Sequence, residues 1–530
     1  MNSIKKSAEV YLYEHGNRIV LEFDSTNKEL SRKVTELLHP VLTYKAVIPL
    51  TGKARMTAIR SGRIPVEYQT RRLFDLDFRD RIFFSRGNLE AVTAQLQQAG
   101  IRTVWINQLP DDKLPRPRAF EFRSDILDRY GFEYRYRQKE IISLFEKFRY
   151  GRIDAPPGFG KGFIITCGCL VFPYAKIAVV TKSTAVVTQR LFPEIQSVLP
   201  RTGIRGAGKN IPGERVTVYT ADSLHHADPY TDIIFGDECH QLAADSYAAK
   251  LANFHHARFW GFSASHDMRS DGLDARVNAI FGPVRFRMTY KEAAENGLVV
   301  PIHVRWVAIN DYNNPCSGIE IGDSVTRARR GVWAYEKRNQ IIAKTAREYK
   351  DDQILITVSS IEHGLRLQKV LPEFELVYSE NGINKPDLDY YKNTGLVPAD
   401  YIPISRERRA NLTAAFESGR LKKAIANQVW NVGVNFQNLQ TLIRADAGSS
   451  EINNIQIPGR ASRITADGGK KIGQIVDFTD EHDSVLANRA IRRYRAYKRF
   501  DWQQEVPDNW PPQKADSNFD RDELCEDLDI

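Results

Sequence analysis

The sequence predicts an α/β protein with two parallel-sheet regions in tandem, preceded by a smaller α+β region. Between about residue 125 and residue 480, short apolar β-like runs alternate with helical stretches, which is typical of parallel sheets covered by helices. The length of 530 residues suffices for three or four domains, at roughly 100–200 residues each. A composition of 42% hydrophobic and 27% charged residues is that of an ordinary globular protein and argues against a disordered chain.

Residues 1–120 are predicted to form the small α+β domain. Strands are predicted at Glu9–Tyr13, Arg18–Phe23, Ala46–Leu50, Arg81–Phe84 and Arg102–Ile106, and helices at Lys28–Leu38 and Asn88–Ala99. The proline-bearing segment LPDDKLPRPR closes this region and is predicted to be a linker.

The two parallel-sheet regions are predicted at residues 125–300 and 301–480. Strands of the first are expected at Ile177–Thr181, Val216–Tyr219, Ile233–Phe235 and Phe259–Phe262. Strands of the second are expected at Gln353–Val358, Lys423–Ala426, Thr441–Arg444 and Gly473–Asp477. The stretch Ser379–Pro403 is rich in Asn, Pro and Asp and is predicted to be a loop insertion. Residues 481–530 are predicted to form a basic helix followed by an acidic tail.

Charge and cysteine usage narrow the class of protein. With 75 Lys and Arg against 66 Asp and Glu, the net charge is +9, so a polyanionic partner is expected, either nucleic acid or a membrane surface. The five cysteines form no Cys-x-x-Cys pair, which argues against disulfides and structural zinc. No apolar run is long enough for a signal peptide or a membrane span. We therefore expect a cytoplasmic protein without a membrane partner.

A glycine-rich loop lies just before the helical run FIITCGCL. Its candidate nucleotide-binding residues are Pro157, Gly158, Gly160, Lys161 and Gly162. Glycines let a backbone wrap closely around a phosphate chain, and the amides at the start of the following helix point at the anion. A lysine at this position reaches the β- and γ-phosphates. The loop alone is a moderate signal, because glycine-rich turns are common.

A pair of acids follows the apolar strand Ile233–Phe235. Asp237 at a strand end can hold a phosphate-bound magnesium ion, and Glu238 can position or deprotonate a water molecule. An acidic pair in isolation is more often a solvated turn, but its combination with the glycine loop favours a catalytic site. Both residues are therefore candidate catalytic residues, with Asp237 also the candidate magnesium ligand.

These motifs, taken in order, resemble those of superfamily 2 helicases and translocases, and the likeness covers about residues 130–480. The other matching segments are Tyr134–Gln138, Val180–Ser183, Tyr219–Leu224, Ser263–Ser265, Ile354–Ser359, Asn431–Asn435 and Gln456–Arg463. Each segment alone is weak, and their shared order is the stronger signal. The resemblance implies two RecA-like lobes, with ATP and magnesium as cofactors.

The resemblance also implies roles for residues outside the first two motifs. Gln138 would read adenine, Gly433 would belong to the nucleotide-binding fifth motif, and Gln456 would belong to the catalytic sixth motif. Two lobes that share one ATP need a cation that arrives when the cleft closes. Arg460 and Arg463 lie three residues apart on a predicted helix, so they share a face and could contact the γ-phosphate.

Three positions depart from the family pattern. Gly162 stands where a Thr or Ser hydroxyl normally binds magnesium, Arg137 replaces the aromatic residue that commonly precedes the glutamine, and Asn435 replaces an Asp of the fifth motif. These departures put metal affinity and the hydrolysis rate in doubt. We expect a water molecule to take the place of the missing hydroxyl, since magnesium normally keeps several waters.

Basic residues are dense in the N-terminal region, where they suit contacts to nucleic-acid phosphates. They are Lys53, Arg55, Arg60, Arg63, Arg71, Arg72, Arg79, Arg81 and Arg86. The run Asp80–Gly87 and the helix after it resemble the small N-terminal domain of UvsW-type recombination helicases of phages. That resemblance implies a DNA-recognition domain, and a location in the host cytoplasm if the protein is viral.

The resulting prediction is an ATP-dependent DNA helicase or double-strand translocase that remodels branched or recombination intermediates. Duplex, forked or branched DNA is the expected partner, with single-strand-binding or recombination proteins as further candidates. Three alternatives stay open. The chain could be the motor subunit of a restriction or defence complex, an RNA helicase, or a DNA-binding scaffold with an impaired ATPase.

Overall fold

The computed structural model describes residues 9–15, 17–23, 27–50, 66–77, 81–106, 121–264, 274–311, 313–319, 323–379, 381–427, 438–448, 458–464 and 469–511, with positions 54, 57, 58, 430 and 436. The chain divides into two compact units. The first comprises Met1–Ile48, Val66–Ala155 and Gly160–Met288, and the second comprises Pro49–Pro65, Pro156–Phe159 and Thr289–Ile530. The predicted acidic tail lies outside the described residues.

The N-terminal domain is a five-stranded sheet with the order β5-β6-β2-β1-β7, accompanied by a separate β3-β4 pair. Its elements are β1 Glu9–His15, β2 Arg18–Phe23, α1 Lys28–Leu42, β3 Thr43–Pro49, β4 Val66–Arg72, β5 Phe74–Leu76, β6 Ile82–Ser85, α2 Leu89–Gln98 and β7 Arg102–Ile106. The Asn27 side chain caps α1 by accepting a hydrogen bond from the Leu30 amide at 3.0 Å. Leu30, Val34, Leu38 and Leu42 recur every four residues and are buried, so one face of α1 closes the core of this domain.

The first lobe contains an eight-stranded sheet with the order β11-β10-β12-β9-β13-β14-β8-β15. Its strands are β8 Tyr150–Asp154, β9 Ile177–Thr181, β10 Gly203–Gly206, β11 Lys209–Ile211, β12 Val216–Thr220, β13 Ile233–Asp237, β14 Arg258–Ser263 and β15 Val284–Arg287. Its helices are α3 Gln138–Lys147, α4 Lys161–Val171, α5 Thr184–Val186, α6 Phe192–Val198, α7 Asp245–Leu251 and α8 Asp274–Phe281. The central strands β9, β13 and β14 pair in parallel and are almost entirely buried, as expected for a sheet covered on both faces.

The second lobe contains a seven-stranded sheet with the order β18-β19-β17-β20-β21-β16-β22. Its strands are β16 Ile302–Val307, β17 Ile354–Thr357, β18 Glu375–Val377, β19 Lys423–Ala426, β20 Thr441–Arg444, β21 Gly473–Phe478 and β22 Gln503–Glu505. Its helices are α9 Tyr290–Glu295, α10 Ser324–Ala328, α11 Glu336–Glu348, α12 Ile361–Val370, α13 Lys385–Asn393, α14 Arg406–Glu417 and α15 Ser484–Arg499. The described pairings in this sheet are parallel, and β22 joins it beside β16.

The predicted fold class, two tandem parallel-sheet lobes after a small α+β domain, is confirmed. Among the described helices, none combines the length and the apolar character needed to cross a lipid bilayer. The prediction of a loop over Ser379–Pro403 is wrong, because this stretch contains α13. The Asn384 side chain accepts a hydrogen bond from the Asp387 amide at 2.8 Å, and Pro386 lies in the first turn, so residues that favour loops here start a helix.

Polar contacts attach the N-terminal domain to the first lobe within the first unit. The guanidinium of Arg285 donates to the Glu90 carboxylate at 3.0 Å, and the Asn278 side-chain amide donates to Asn88 at 3.3 Å. Between them Gly87 lies so close to the lobe that a Cβ atom there would be 2.2 Å from the carbonyl oxygen of Asn278. A glycine at position 87 therefore lets the two backbones touch.

A buried ionic cluster organises the second lobe. Arg493 on α15 contacts the Asp477 carboxylate at 3.0 Å and the Asp480 carboxylate at 3.6 Å, and Arg338 on α11 contacts Asp480 at 2.8 Å. The Tyr497 hydroxyl donates to Asp477 at 2.8 Å. All five side chains are fully buried. Helix α15, predicted as a basic helix, therefore does not expose all of its cations. Its Arg493 side chain lies inside the lobe and compensates the negative charge of the buried acids.

The substitution Arg493→Met should strongly destabilise the second lobe, because it removes the buried guanidinium that contacts both Asp477 and Asp480. Breaking a buried pair in this way costs about 3–5 kcal/mol. The measurement is urea unfolding followed by tryptophan fluorescence, since Trp306 lies against the Arg493 guanidinium. The exposed Lys498 on the same helix gives the control Lys498→Met, which should change the free energy of unfolding by no more than about 0.5 kcal/mol. Equal effects of the two substitutions would contradict the importance of the cluster.

Candidate functional site

Three neighbouring strands of the first lobe end at the same level. In the parallel register, Asp237 of β13 pairs with Phe262 of β14, and Ser263 of β14 pairs with Asp154 of β8. The loops that follow these strands therefore leave the sheet side by side. The carboxyl edge of a parallel sheet is where ligands of open α/β folds bind.

The glycine loop connects β8 to α4 at this edge. Gly158 and Gly160 have φ angles of +89° and +96°, a region that residues with side chains rarely adopt. Helix α4 begins directly after, at Lys161, so its first amides face the loop. The Lys161 side chain is buried, and its ammonium donates to the Ala155 carbonyl at 2.8 Å. Burial lowers the pKa of Lys161, whereas the charges of Glu238 and Asp237 raise it, which indicates that both acids lie near the ammonium.

Asp237 is the most deeply buried acid of this site, with 1% of its surface exposed. One carboxylate oxygen, Oδ2, accepts from the guanidinium of Arg190. The other, Oδ1, is buried and has no hydrogen-bond partner among the described residues. Burial raises the pKa of Asp237, and Arg190 opposes that rise. A buried carboxylate oxygen without a hydrogen-bond partner lowers the stability of the fold. The Oδ1 atom is therefore suited to bind a cation.

Glu238 follows at once in a left-handed conformation, with φ of +50°. This turn takes its half-buried carboxylate away from the strand, and the Nδ1 atom of His240 lies 3.6 Å from it. The same Nδ1 atom lies 2.8 Å from the Ser263 hydroxyl at the end of β14. The acidic pair and the Ser263 segment are thus joined through one buried histidine. Ser265 of that segment lies outside the described residues.

Gln138 at the start of α3 lies against the glycine loop. Its Oε1 atom accepts from the Arg135 amide at 3.0 Å, and its side chain is buried. A Cβ atom added to Gly160 would be 2.8 Å from the Gln138 Nε2 atom. The loop and the glutamine can therefore approach this closely only because residue 160 is a glycine.

The unusual Arg137 has a local structural role. Its φ angle is +60°, and its Nε atom donates to Glu140 at 2.6 Å. Its guanidinium lies over the ring of Phe286, 4.5 Å from the centroid. Position 137 is where the family pattern commonly has an aromatic residue. Here the aromatic ring next to that position belongs to Phe286 of β15.

Sequence reasoning missed two charged residues of the site, Arg190 and Glu194. Both lie on the helical segment after β9, four residues apart, and neither belongs to a motif. Their spacing was the available signal, because residues i and i+4 share a helix face. A motif search does not connect that face with Asp237, which lies 47 residues later in the chain.

The predicted sixth-motif arginines belong to the second unit. Arg460 lies in a short helical turn, Pro458–Ser462, and is buried, whereas Arg463 follows the turn and is half-buried. The Arg463 amide donates to the Arg460 carbonyl at 3.4 Å, so the two residues occupy successive ends of one turn. Gln456, Gly433 and Asn435 lie outside the described residues.

The donor set of the first lobe fits a magnesium-nucleotide complex. Among the described residues, no three His, Cys, Asp or Glu side chains are grouped to hold a metal by themselves. Magnesium bound with ATP does not require such a group, because it uses one or two carboxylates together with phosphate oxygens and waters. The Oδ1 atom of Asp237 is the carboxylate oxygen that such a complex would need, and the buried ammonium of Lys161 is the cation that its phosphates would need.

Comparison with known proteins identified one related sequence, and no family model matches the chain. A protein named Putative helicase 22, from Sulfolobus islandicus filamentous virus (isolate Iceland/Hveragerdi), is 23% identical over 382 residues. The alignment covers 66% of this chain and 64% of the viral protein, so this chain spans somewhat less than two thirds of that relative's length. The predicted resemblance to helicases is confirmed by this similarity to a protein that is itself named as a helicase.

Solved structures provide the comparison of folds. S. cerevisiae Dbp5 bound to RNA and ADP BeF3 aligns with a TM-score of 0.50 at 12% identity, over 73% of this chain and 93% of that chain. T4 UvsW aligns over 94% of this chain and 98% of its own at 14% identity, with a TM-score of 0.39. At this identity the Dbp5 alignment shows a shared fold of two α/β lobes and nothing about activity.

The substitution Gly160→Ala should destabilise the first lobe more than Gly208→Ala. Both glycines have positive φ angles, so each alanine costs about 1–2 kcal/mol in backbone strain. Only at position 160 would the new Cβ also displace a side chain, that of Gln138, since nothing lies within 4 Å of a Cβ at position 208. The extra loss should be about 1 kcal/mol, the worth of the Gln138 hydrogen bond. Urea unfolding of the two variants measures it, and equal losses would contradict the contact.

Proposed function

We propose that the chain is an ATP-dependent DNA helicase or double-strand translocase that remodels branched or recombination DNA intermediates. The observation that carries the proposal is the edge of the first-lobe sheet. There a glycine loop with a buried lysine lies beside a strand-end Asp-Glu pair, and one oxygen of that aspartate is uncommitted. The resemblance in sequence to a viral helicase supports the same assignment.

In the proposed ATP site, the residues of the glycine loop and of the strand end have distinct tasks. Lys161 and the first amides of α4 bind the β- and γ-phosphates, with Pro157, Gly158 and Gly162 shaping the loop. Asp237 would hold the magnesium ion, since its Oδ1 atom has no other partner among the described residues. When bound, magnesium would neutralise charge on the phosphate oxygens.

The remaining steps fall to Glu238 and to the second lobe. Glu238 orients the attacking water and accepts its proton. The proposal gives Arg460, Arg463 and Gln456 the task of stabilising charge that develops on the transferred phosphoryl group. Gln138 recognises adenine through its side-chain amide, and Gly433 is assigned to nucleotide binding.

DNA binding is assigned to the basic N-terminal domain. Arg71 and Arg72 end β4 and are exposed, and Lys45 on the neighbouring strand β3 is also exposed. Such side chains suit phosphate contacts, which fix the position of a protein on DNA without reading its sequence. Duplex, forked or branched DNA is the proposed partner, and single-strand-binding or recombination proteins are candidates for cooperation at such junctions.

An assay of ATP hydrolysis with four polynucleotides tests the proposal against its alternatives. The full chain is compared with duplex DNA, forked DNA, single-stranded DNA and RNA at equal phosphate concentration. Greatest stimulation by forked or duplex DNA is expected. Stimulation by RNA alone would favour an RNA helicase. DNA binding without hydrolysis would favour a scaffold, and activity that needs a nuclease partner would favour a restriction or defence motor.

Glu238→Gln should bind ATP with near-parental affinity and lower kcat by about 10²–10⁴-fold, because the base that activates water is lost. Lys161→Ala should instead lose nucleotide affinity, because the buried ammonium that faces the phosphates is removed. DNA-stimulated ATPase rates and binding of a fluorescent ATP analogue separate the two effects. The control is Glu146→Gln, which removes the same charge from an exposed position of α3. A parental rate for Glu238→Gln would show that the catalytic assignment is wrong.

Arg71→Glu combined with Arg72→Glu should weaken DNA binding and reduce the slope of log affinity against log salt by about 1–2, because each phosphate contact contributes about 0.9. Fluorescence anisotropy with forked DNA at several salt concentrations provides the slope. The matched control reverses the exposed Lys344 and Lys350 of the second unit, which changes the net charge equally. If both pairs change the slope alike, the effect is one of net charge, and the assignment to β4 fails.

A further inference from the structure

The structure gives a physical reason for the glycine at position 162. This residue lies in the first turn of α4, where the family pattern has a Thr or Ser hydroxyl. A Cβ atom built on Gly162 would be 2.5 Å from the Oε2 atom of Glu194 and 3.6 Å from its Cδ atom. The Glu194 carboxylate therefore occupies the space that the side chain of a threonine would fill.

Glu194 reaches this space from an irregular helical segment. Helix α5 continues through a π-helical turn, Val187–Leu191, into α6, and these three pieces form one run. Arg190 lies in the π turn and Glu194 in the first turn of α6. A π turn is uncommon and often marks a functional site, because the extra residue re-aims the side chains around it.

Arg190 contacts the Asp237 carboxylate and lies four residues before Glu194 in the same helical run. Protein around Glu194 raises the pKa of its carboxyl even though the side chain keeps access to solvent. The positive charge of Arg190 lowers that pKa, and the negative charge of Asp237 raises it. Among the described residues, the Glu194 carboxylate has no hydrogen-bond or ion-pair partner, and one oxygen of Asp237 is likewise uncommitted. The Glu194 carboxylate thus lies against the first turn of α4, beside the glycine loop, and Asp237 has a free oxygen at the carboxyl edge of the same sheet. Carboxylate oxygens are the protein ligands that magnesium prefers.

We propose that Glu194 is a ligand of the nucleotide-bound divalent cation, directly or through one water molecule, and that it replaces the hydroxyl that Gly162 lacks. The inference rests on the proposed ATP site. Asp237 would bind through Oδ1 while Oδ2 keeps its contact with Arg190, so the ion pair need not break. Arg190 is then a positioning residue, since its charge keeps two mutually repelling acids close together. Gly162 and Glu194 form a matched pair in which the absent side chain makes room for the carboxylate.

The test measures metal binding without hydrolysis. The full chain is mixed with ADP, and Mn²⁺ is titrated as a paramagnetic substitute for Mg²⁺, with free and bound Mn²⁺ resolved by electron paramagnetic resonance. Glu194→Gln should weaken nucleotide-dependent Mn²⁺ binding about tenfold, the lower end of the loss on removing a group that supports a metal. Gly162→Ala should do the same, because its methyl group displaces the carboxylate and supplies no ligand. The control Glu146→Gln should bind Mn²⁺ as the parent does.

Combining substitutions separates a ligand from a residue that only fills space. Gly162→Thr together with Glu194→Gln should return Mn²⁺ affinity to within about twofold of the parent, because the threonine hydroxyl takes over the role of the carboxylate. If Glu194→Gln alone binds Mn²⁺ like the parent, the proposal for Glu194 is overturned while the ATP site stands. If the parent chain shows no nucleotide-dependent Mn²⁺ binding, the proposed function itself is overturned.

Discussion

The buried carboxylate of Asp237 imposes an electrostatic constraint on the carboxyl edge of the first-lobe sheet. Removing an ionised carboxylate from water costs several kcal/mol, so cations must lie near it. Arg190 and Lys161 provide them from two different helical segments, one after β9 and one after the glycine loop. One electrostatic requirement, that cations lie near the Asp237 carboxylate, therefore links α4, the π-helical turn and the end of β13. That requirement leaves one oxygen uncommitted, and the proposed chemistry depends on that oxygen.

The parallel sheet makes this meeting possible. Residues that are far apart in the chain come together because β13, β14 and β8 run in the same direction and end in register. Asp237, Ser263 and the start of the glycine loop then share one edge. In the second lobe, buried acids are likewise paired with cations, since Arg493 and Arg338 contact Asp477 and Asp480 inside the core. From the sequence alone, these charged residues would be expected at the surface. In both lobes they lie in the interior.

Much of this fold could be predicted from the sequence, because apolar runs of four to six residues indicate buried parallel strands directly. The strands β9 and β20, for example, coincide with their predicted ranges. The helix α13 could not be predicted, since Asn, Pro and Asp favour loops until an Asn side chain caps a helix. The role of Glu194 was also beyond the sequence. Only the spatial contact with Gly162 connects a missing hydroxyl with a carboxylate 32 positions later.

The most direct test of the central claim is calorimetric titration of the full chain with ADP, with magnesium and again with a chelator. Magnesium should strengthen ADP binding by about tenfold or more in the parent chain, and the substitution Asp237→Asn should abolish that dependence while leaving chelator-state binding intact. This outcome would identify Asp237 as the residue through which the metal acts. ADP affinity that is the same with and without magnesium, or a dependence that survives Asp237→Asn, would contradict the account.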